Sequence, residues 1–261
     1  MNQHSSTLPS RRYDAASRAR ELAGAHPRDV IADAVASFDA VALSFSGAED
    51  VVLIDMIAEV SGAVQIFCLD TGRLHAETLR FLDRVGGHYG VDIDVMHPEP
   101  EAVQRLVDAK GLFSFYEDGH QECCAIRKIE PLRRRLNGVE AWITGQRRDQ
   151  SPTRTDLALV HQDGVFGSAA APLVKFNPLA AWSSADVWDY IRQHHVPYNE
   201  LHDRGFMSIG CEPCTRALRP GEHERAGRWW WEAATRKECG LHVDTDAAAS
   251  TLIASDATPP G

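Results

Sequence analysis

An α/β fold, with a parallel sheet flanked by helices, follows from three features of this 261-residue chain. Four short apolar runs have the length of buried strands, polar turns follow them, and segments of helical apolar spacing lie between them. Strands that alternate with helices in this way pair in parallel and are covered on both faces. Residues 1–40 come first as a helical segment, in which "YDAASRARELAG" and "RDVIADAVASF" repeat apolar residues at helix-like intervals and Pro27 punctuates them. The period then changes. "AVALSF" is the first strand, "SGAED" a turn of small residues and "VVLIDMIAEV" an apolar helix. "AVQIFCLD" is the second strand, leading into the turn and helix of "TGRLHAETLRFLDRV", and "VDIDVM" and "EAWITG" are the third and fourth. Residues 41–224 form the α/β domain on this reading, and 225–261 a mobile C-terminal segment rich, toward its end, in small and polar residues.

Composition narrows the class. A hydrophobic content of 44% over this length supports a full core. Charge interrupts every apolar run well before membrane-spanning length, and the start "MNQHSSTLPSRRYD" lacks the apolar stretch of a signal peptide, so a soluble, cytoplasmic protein with no membrane partner is expected. A formal net charge of −10 argues against a general nucleic-acid binder while leaving room for a local basic pocket around a small anion. A homo-oligomer is compatible with all of this.

In open parallel sheets, ligands lie at the carboxyl ends of the strands. "SFSGAED", "LDTGR" and "ITGQRRDQSPTR" all fall there and are expected to line one crevice. Ser44, Ser46 and Gly47 sit at a glycine turn feeding a helix N-terminus, an arrangement that binds phosphate through backbone N–H groups. Asp70 and Thr71 suit ribose or base contacts, Gly145 opens the third turn, and Arg73, Arg147, Arg148 and Arg154 offer planar cationic forks for phosphate or sulfate. A nucleotide with an acidic tail fits such a crevice.

Six cysteines in a chain expected to be cytoplasmic point to metal binding or catalysis rather than a disulfide framework. Cys68 lies in the strand-like "VQIFC" and is assigned to the core. Cys123 and Cys124 are adjacent in "QECCAIRK", Cys211 and Cys214 form a C-x-x-C in "IGCEPCTR", and Cys239 stands alone in "KECGLH". Adjacent cysteines are poorly placed for a disulfide. Two pairs far apart in sequence can converge on one thiolate site, with zinc and an iron–sulfur cluster as the candidates. Zinc sites space their paired ligands by two to four residues, whereas a cubane spreads its ligands over four irons, which favours a [4Fe–4S] cluster. Lys128, shortly after the first pair, is placed to face both the cluster's sulfurs and an anionic ligand. Cys239, near Lys237 and His242, is the candidate nucleophile.

Together with "FNPLAAWSSADVWDYI", "VPYNELHDRGFMSIGCEPCTR", "HERAGRWWWE" and "KECGLH", these motifs resemble the assimilatory adenylyl-sulfate reductases of the sulfonucleotide reductase family, from about Val41 to His242. The resemblance implies an adenine-nucleotide α-hydrolase-like fold whose loop departs from the ATP pyrophosphatase pattern at Ala48, Glu49 and Val51. It implies reduction of adenosine 5'-phosphosulfate (APS) to sulfite and AMP, within sulfate assimilation and cysteine biosynthesis. The implied route is a Cys–S–sulfonate on Cys239, resolved by thioredoxin or a glutaredoxin-like dithiol protein. Arg225 and Arg228 are carried over as sulfate or phosphate clamps. Reduction of 3'-phospho-APS (PAPS), alone or alongside APS, stays open, since the difference rests on space and charge near the ribose 3' position. The remoter alternatives are a Cys₄ metal protein that senses adenine nucleotides and an iron–sulfur enzyme that thiolates tRNA; "KECGLH" weighs against the first, the altered loop and acidic charge against the second.

Overall fold

The computed structural model describes residues 13–60 and 63–232. Two helices open it, α1 (Ala15–Glu21) and α2 (Pro27–Ser37). Pro27 occupies the first turn of α2, where its missing N–H costs nothing. The alternation read from the sequence follows: β1 (Val41–Ser44), α3 (Ala48–Ala58), β2 (Val64–Leu69), α4 (Ala76–Tyr89), β3 (Ile93–Met96) and α5 (Pro100–Lys110). Gly90, at φ +64°, ends α4 in the left-handed conformation that glycine adopts without penalty. The cysteine-bearing stretch is one continuous helical run, α6 (Gln121–Cys124), a π-helical turn over Ala125–Ile129 and α7 (Glu130–Leu136). Pro131 accounts for the widened turn, because it cannot donate to residue 127 and its ring crowds that carbonyl.

Three strands complete the sheet, β4 (Ala141–Ile143), β5 (Val160–Gln162) and β6 (Val174–Phe176), and α8 (Ser184–His194) covers it. The strand order is β3-β2-β1-β4-β6-β5. All pairings are parallel except β5 with β6. The sheet therefore has six strands rather than the four legible in the sequence, and an antiparallel edge. β5 and β6 are three residues each, too short to establish a period.

Strand residues alternate between two apolar layers. Val41, Leu43, Ile66, Cys68, Ala141 and Ile143 pack with α1, α2, α3 and α8, while Ala42, Phe67 and Trp142 pack against Leu132 and Leu136 of α7. Burial on both faces is what a parallel sheet requires. Cys68 lies in the first layer, and burial pushes its thiol up to about 12. The strand order switches sides between β1 and β4, which run parallel, so a crevice opens beyond their carboxyl ends. Among the described residues no helix is long and apolar enough to cross a membrane.

Candidate active site

The crevice at this switch point has a cavity volume of about 180 Å³. Ser44, Ser46, Gly47, Thr71, Gly145 and Arg154, from the ends of β1, β2 and β4 and the turns beyond them, line it, together with Lys128, Cys211, Arg225 and Arg228 from elsewhere in the chain. Phe67, Leu69, Leu132 and Trp142 give it an apolar floor; Glu49, marked in the sequence only as a departure from the loop pattern, also lines it, with Asp50, Gln150, His202 and Glu224, which sequence reasoning did not single out.

Asp50 organises the loop after β1. Its Oδ2 accepts from Ser46 N at 2.8 Å, Ser46 Oγ at 2.9 Å and Gly47 N at 3.0 Å, and its Oδ1 accepts from Gly145 N at 3.0 Å. The amides read as phosphate donors thus turn toward the protein's own carboxylate, which ties the β1 loop to the β4 loop. A Cβ on Gly145 would come within 2.5 Å of Asp50 Oδ1, so only glycine permits this closure. Burial, then the neighbouring Glu49 charge, pushes the Asp50 carboxyl up to about 6, against the pull of the Ser46 and Gly47 donors. Asp50→Asn places an NH₂ among N–H donors. The expected cost is about 2–4 kcal/mol of stability, measured by urea unfolding, with weaker nucleotide binding because both loops loosen. A variant as stable as the wild type would contradict this role.

Arg147 is 1% exposed and lies behind the crevice wall. It donates to Glu49 Oε1 through Nε at 3.2 Å and Nη2 at 2.9 Å, to both Glu224 oxygens at 2.9 Å, and to Asp149. Burial works against ionisation of Glu49, but the Arg147 guanidinium, a backbone amide and Gln150 together outweigh it and hold that carboxyl below its ordinary range. Glu224 behaves oppositely: burial, with the Glu49 charge beside it, pushes it up to about 7. Arg148 Nε donates to Leu157 O at 2.9 Å and serves the loop. Asp70 also lies outside the crevice, accepting from Gly72 N at 2.8 Å in a local turn with His97 3.6 Å away.

A second, smaller cavity adjoins the crevice. Cys123, Cys124, Cys211 and Cys214 all line it, with Arg73, Phe115, His120, Arg127 and Lys128. Lys128 and Cys211 belong to the walls of both cavities. The helical run through the π turn brings this about, since Cys123, Cys124, Arg127 and Lys128 fall on one face and the two cations are buried. Thr71 Oγ1 lies 3.1 Å from Cys211 Sγ, linking the end of β2 to the C-x-x-C turn. A hydrogen bond from Cys214, aided by Lys128 and Thr71, holds the Cys211 thiol well below its usual range despite burial, and Cys214 is pushed up as the donor. Arg73 Nη1 and Arg127 Nε are buried here without a hydrogen-bond partner. Among the described residues no three or more His, Cys, Asp or Glu side chains gather around the point of a single metal ion.

Trp229 packs with Phe115, Cys124, Cys211 and Cys214 beside this cavity. It is fully buried with its backbone at φ +40°, a conformation that costs a bulky residue of the order of 1–3 kcal/mol. Packing holds it there: His120 stacks on the ring at 4.2 Å, the Arg228 guanidinium lies 4.5 Å above it and Lys128 Nζ 5.7 Å from it. Arg228 also reaches Ser208 Oγ at 3.4 Å and Ile209 O at 3.3 Å, while its buried Nε has no partner. A Cβ on Gly210 would come within 2.5 Å of that guanidinium, so the glycine makes room for it. Glu232 accepts from His120 N at 3.0 Å, and its two oxygens lie 2.8 Å from His120 Nδ1. Residues 225–232, the first part of the C-terminal segment, are therefore docked on the cysteine site. Cys239 lies outside the described residues.

Known proteins resemble this chain to differing degrees. The phosphoadenosine phosphosulfate reductase domain family matches residues 40–217. The chain is 57% identical over 244 residues to the adenosine 5'-phosphosulfate reductase of Pseudomonas aeruginosa (strain LESB58), covering 92% of this chain and 91% of that one. It is 53% identical to 5'-adenylylsulfate reductase 1, chloroplastic, of Arabidopsis thaliana over 86% of its own length but 49% of the plant protein's. A crystal structure of the phosphoadenylyl-sulfate reductase of Candida auris, a phosphate complex, superposes with a TM-score of 0.65 at 27% identity, covering 77% of this chain and 96% of that one. The FMN adenylyltransferase of Candida glabrata, at 13% identity and a TM-score of 0.51 over 86% of this chain and 76% of that one, shares the fold alone. By its family match and its identity to these reductases, the chain belongs to the phosphoadenosine phosphosulfate reductase family.

Proposed function

We propose that this protein reduces APS to sulfite and AMP, with Cys239 as nucleophile and a [4Fe–4S] cluster on Cys123, Cys124, Cys211 and Cys214. The observation that carries the reading is the shared wall, in which Lys128 and Cys211 line both the switch-point crevice and the four-cysteine cavity. Relatives named as APS reductases, at 57% and 53% identity, support the substrate and a place in sulfate assimilation.

The donor set fits the cluster. Four thiol side chains line one cavity, and the unpartnered N–H groups of Arg73 and Arg127 suit an anionic group there. When bound, the cluster supplies a fixed anionic array beside the crevice. Lys128 holds its ammonium between that array and the substrate's sulfate. Arg154, Arg225 and Arg228 add cationic donors along the crevice, and the apolar floor of Phe67, Leu69 and Trp142 receives the base.

The chemistry then belongs to thiols. The Cys239 thiolate attacks the sulfate sulfur of APS. An Sγ–S bond forms, the S–O bond to phosphate breaks, and AMP leaves with the electron pair. A dithiol protein, thioredoxin or a glutaredoxin-like protein, next attacks Cys239 Sγ, and sulfite departs with the electrons of the Sγ–S bond. The second thiol of that protein releases Cys239 as thiolate and leaves the donor as a disulfide. Two electrons pass from dithiol to sulfur.

Intact mass of anaerobically purified protein, mixed with APS or with PAPS and no thiol donor, tests the reading. The expected result is a sulfonate adduct on Cys239 with APS and none with PAPS. Adduct with both identifies a dual reductase, with PAPS alone a PAPS reductase, and with neither a nucleotide-sensing Cys₄ protein in place of the enzyme.

A further inference from the structure

Six large apolar side chains are exposed on the described surface, and four of them adjoin one another. These are Leu112 at 57% exposure, Phe113 at 59%, Tyr116 at 40% and Trp230 at 40%. Phe113 and Tyr116 stack with ring centroids 6.3 Å apart, and Tyr116 lies 6.1 Å from Trp230. The patch is held from beneath. The Arg73 guanidinium lies 5.7 Å over Phe113 and 5.0 Å over Phe115 and donates to Leu112 O, while Tyr116 OH donates to Pro213 O at 2.7 Å. Trp231 packs 4.5 Å from the Tyr116 ring. None of the four lines the crevice or the cysteine cavity, yet Arg73 and Phe115, on which they rest, belong to the cavity wall. A contiguous apolar patch on fixed supports marks a surface that binds something.

Two observations say what. The first is where the chain goes. Glu232, clasped by His120, stands two residues beyond Trp230, and Cys239 is seven residues farther along. Seven extended residues span at most about 25 Å, so a molecule seated on the patch is within reach of Cys239. The second is charge. Glu117, Asp118, Glu122 and Glu212 are exposed around the patch, against two cations, Arg73 beneath the rings and Lys110, which bridges Asp118 at 3.3 Å and Glu122 at 2.6 Å. We propose that Leu112, Phe113, Tyr116 and Trp230 form the docking surface for the dithiol protein that resolves the Cys239 S-sulfonate, a partner that presents apolar surface ringed by cations. This assignment rests on the reading of Cys239 as the sulfonate carrier.

The test uses the full-length protein carrying its cluster, with reduced thioredoxin as probe and Leu112→Ser, Phe113→Ser and Trp230→Ser made singly. Sulfonate formation from APS without any thiol, and sulfite release by dithiothreitol, stay within about twofold of the wild type, whereas kcat/KM for thioredoxin falls about tenfold. Added salt lowers the wild-type kcat/KM for thioredoxin, since the rim charges are exposed. Wild-type kcat/KM for thioredoxin in all three variants would overturn the proposal. So would a wild-type oligomer that the substitutions convert to monomer, which assigns the face to a second copy of the chain. If the wild type forms no S-sulfonate, the enzymatic reading itself fails, and the docking surface falls with it.

Discussion

Cys239→Ser is expected to lower APS-dependent sulfite release by on the order of 10⁴-fold or more, while nucleotide binding and visible absorbance stay as in the wild type. The size of the effect comes from two separate blocks. A serine hydroxyl ionises far above working pH, whereas a cysteine thiol ordinarily ionises close enough to it to supply thiolate. Even an O-sulfonated serine would stall, because thiol attack needs a sulfur–sulfur bond to break and a sulfate ester has none. No other cysteine is free to substitute. Four line the cysteine cavity, and Cys68 lies in the core with its thiol pushed up to about 12. The measurement is sulfite release with dithiothreitol or thioredoxin, alongside calorimetric titration with AMP. Turnover at a tenth of the wild-type rate would move the nucleophile elsewhere.

The parts of this molecule legible in the sequence are those with a local signature. β1 to β4 are apolar runs of strand length, and the strand–turn–helix unit at "SFSGAED" announces the switch-point crevice before any pairing is known. The four cysteines carry their own chemistry, and their spacing alone suggested one site before the fold gathered them into one cavity. What escaped the sequence is held either by partners far apart in the chain or by local contacts that leave no periodic signal. Arg147 looks like an open cationic fork until Glu49, 98 residues away, and Glu224, 77 residues away, are seen to occupy it. The loop amides at Ser46 and Gly47 look like phosphate donors until Asp50 folds back on them from the first turn of α3. Arg73 was read as a crevice residue, but the turn after β2 aims it at the cysteine cavity and the exposed aromatics. The π turn after Cys124 has no sequence periodicity of its own, and Pro131 is its only advance sign.

Cys211→Ser is expected to remove the visible absorbance of the anaerobically purified protein. It should also cost at least about 3 kcal/mol of stability, read as a fall in Tm of roughly 6–12 °C. Cys211 is the thiol on which the site closes. Its neighbour Leu74 bridges the strand-end segment after β2 to it, Glu212 N donates to Arg73 O at 2.8 Å, and Thr71 Oγ1 reaches its sulfur. The C-x-x-C turn is thereby fixed to the same segment that meets the helix bearing Cys123 and Cys124. Serine keeps the contact with Thr71 but offers a hard oxygen in place of a soft thiolate, so the loss would fall on the proposed cluster, at a site where Phe115 and Trp229 pack against Cys124, Cys211 and Cys214. Buried Arg127 and Lys128 make that loss expensive, because without an anionic group beside them two cations are left facing each other's side of one cavity. Cys68→Ser separates this effect from the general cost of placing a hydroxyl in the core, for it should lower Tm and leave the absorbance per mole of iron intact. Iron and acid-labile sulfide, measured with the absorbance, decide the outcome: a colourless wild type carrying zinc, equally stable with or without Cys211, would remove the iron reading altogether.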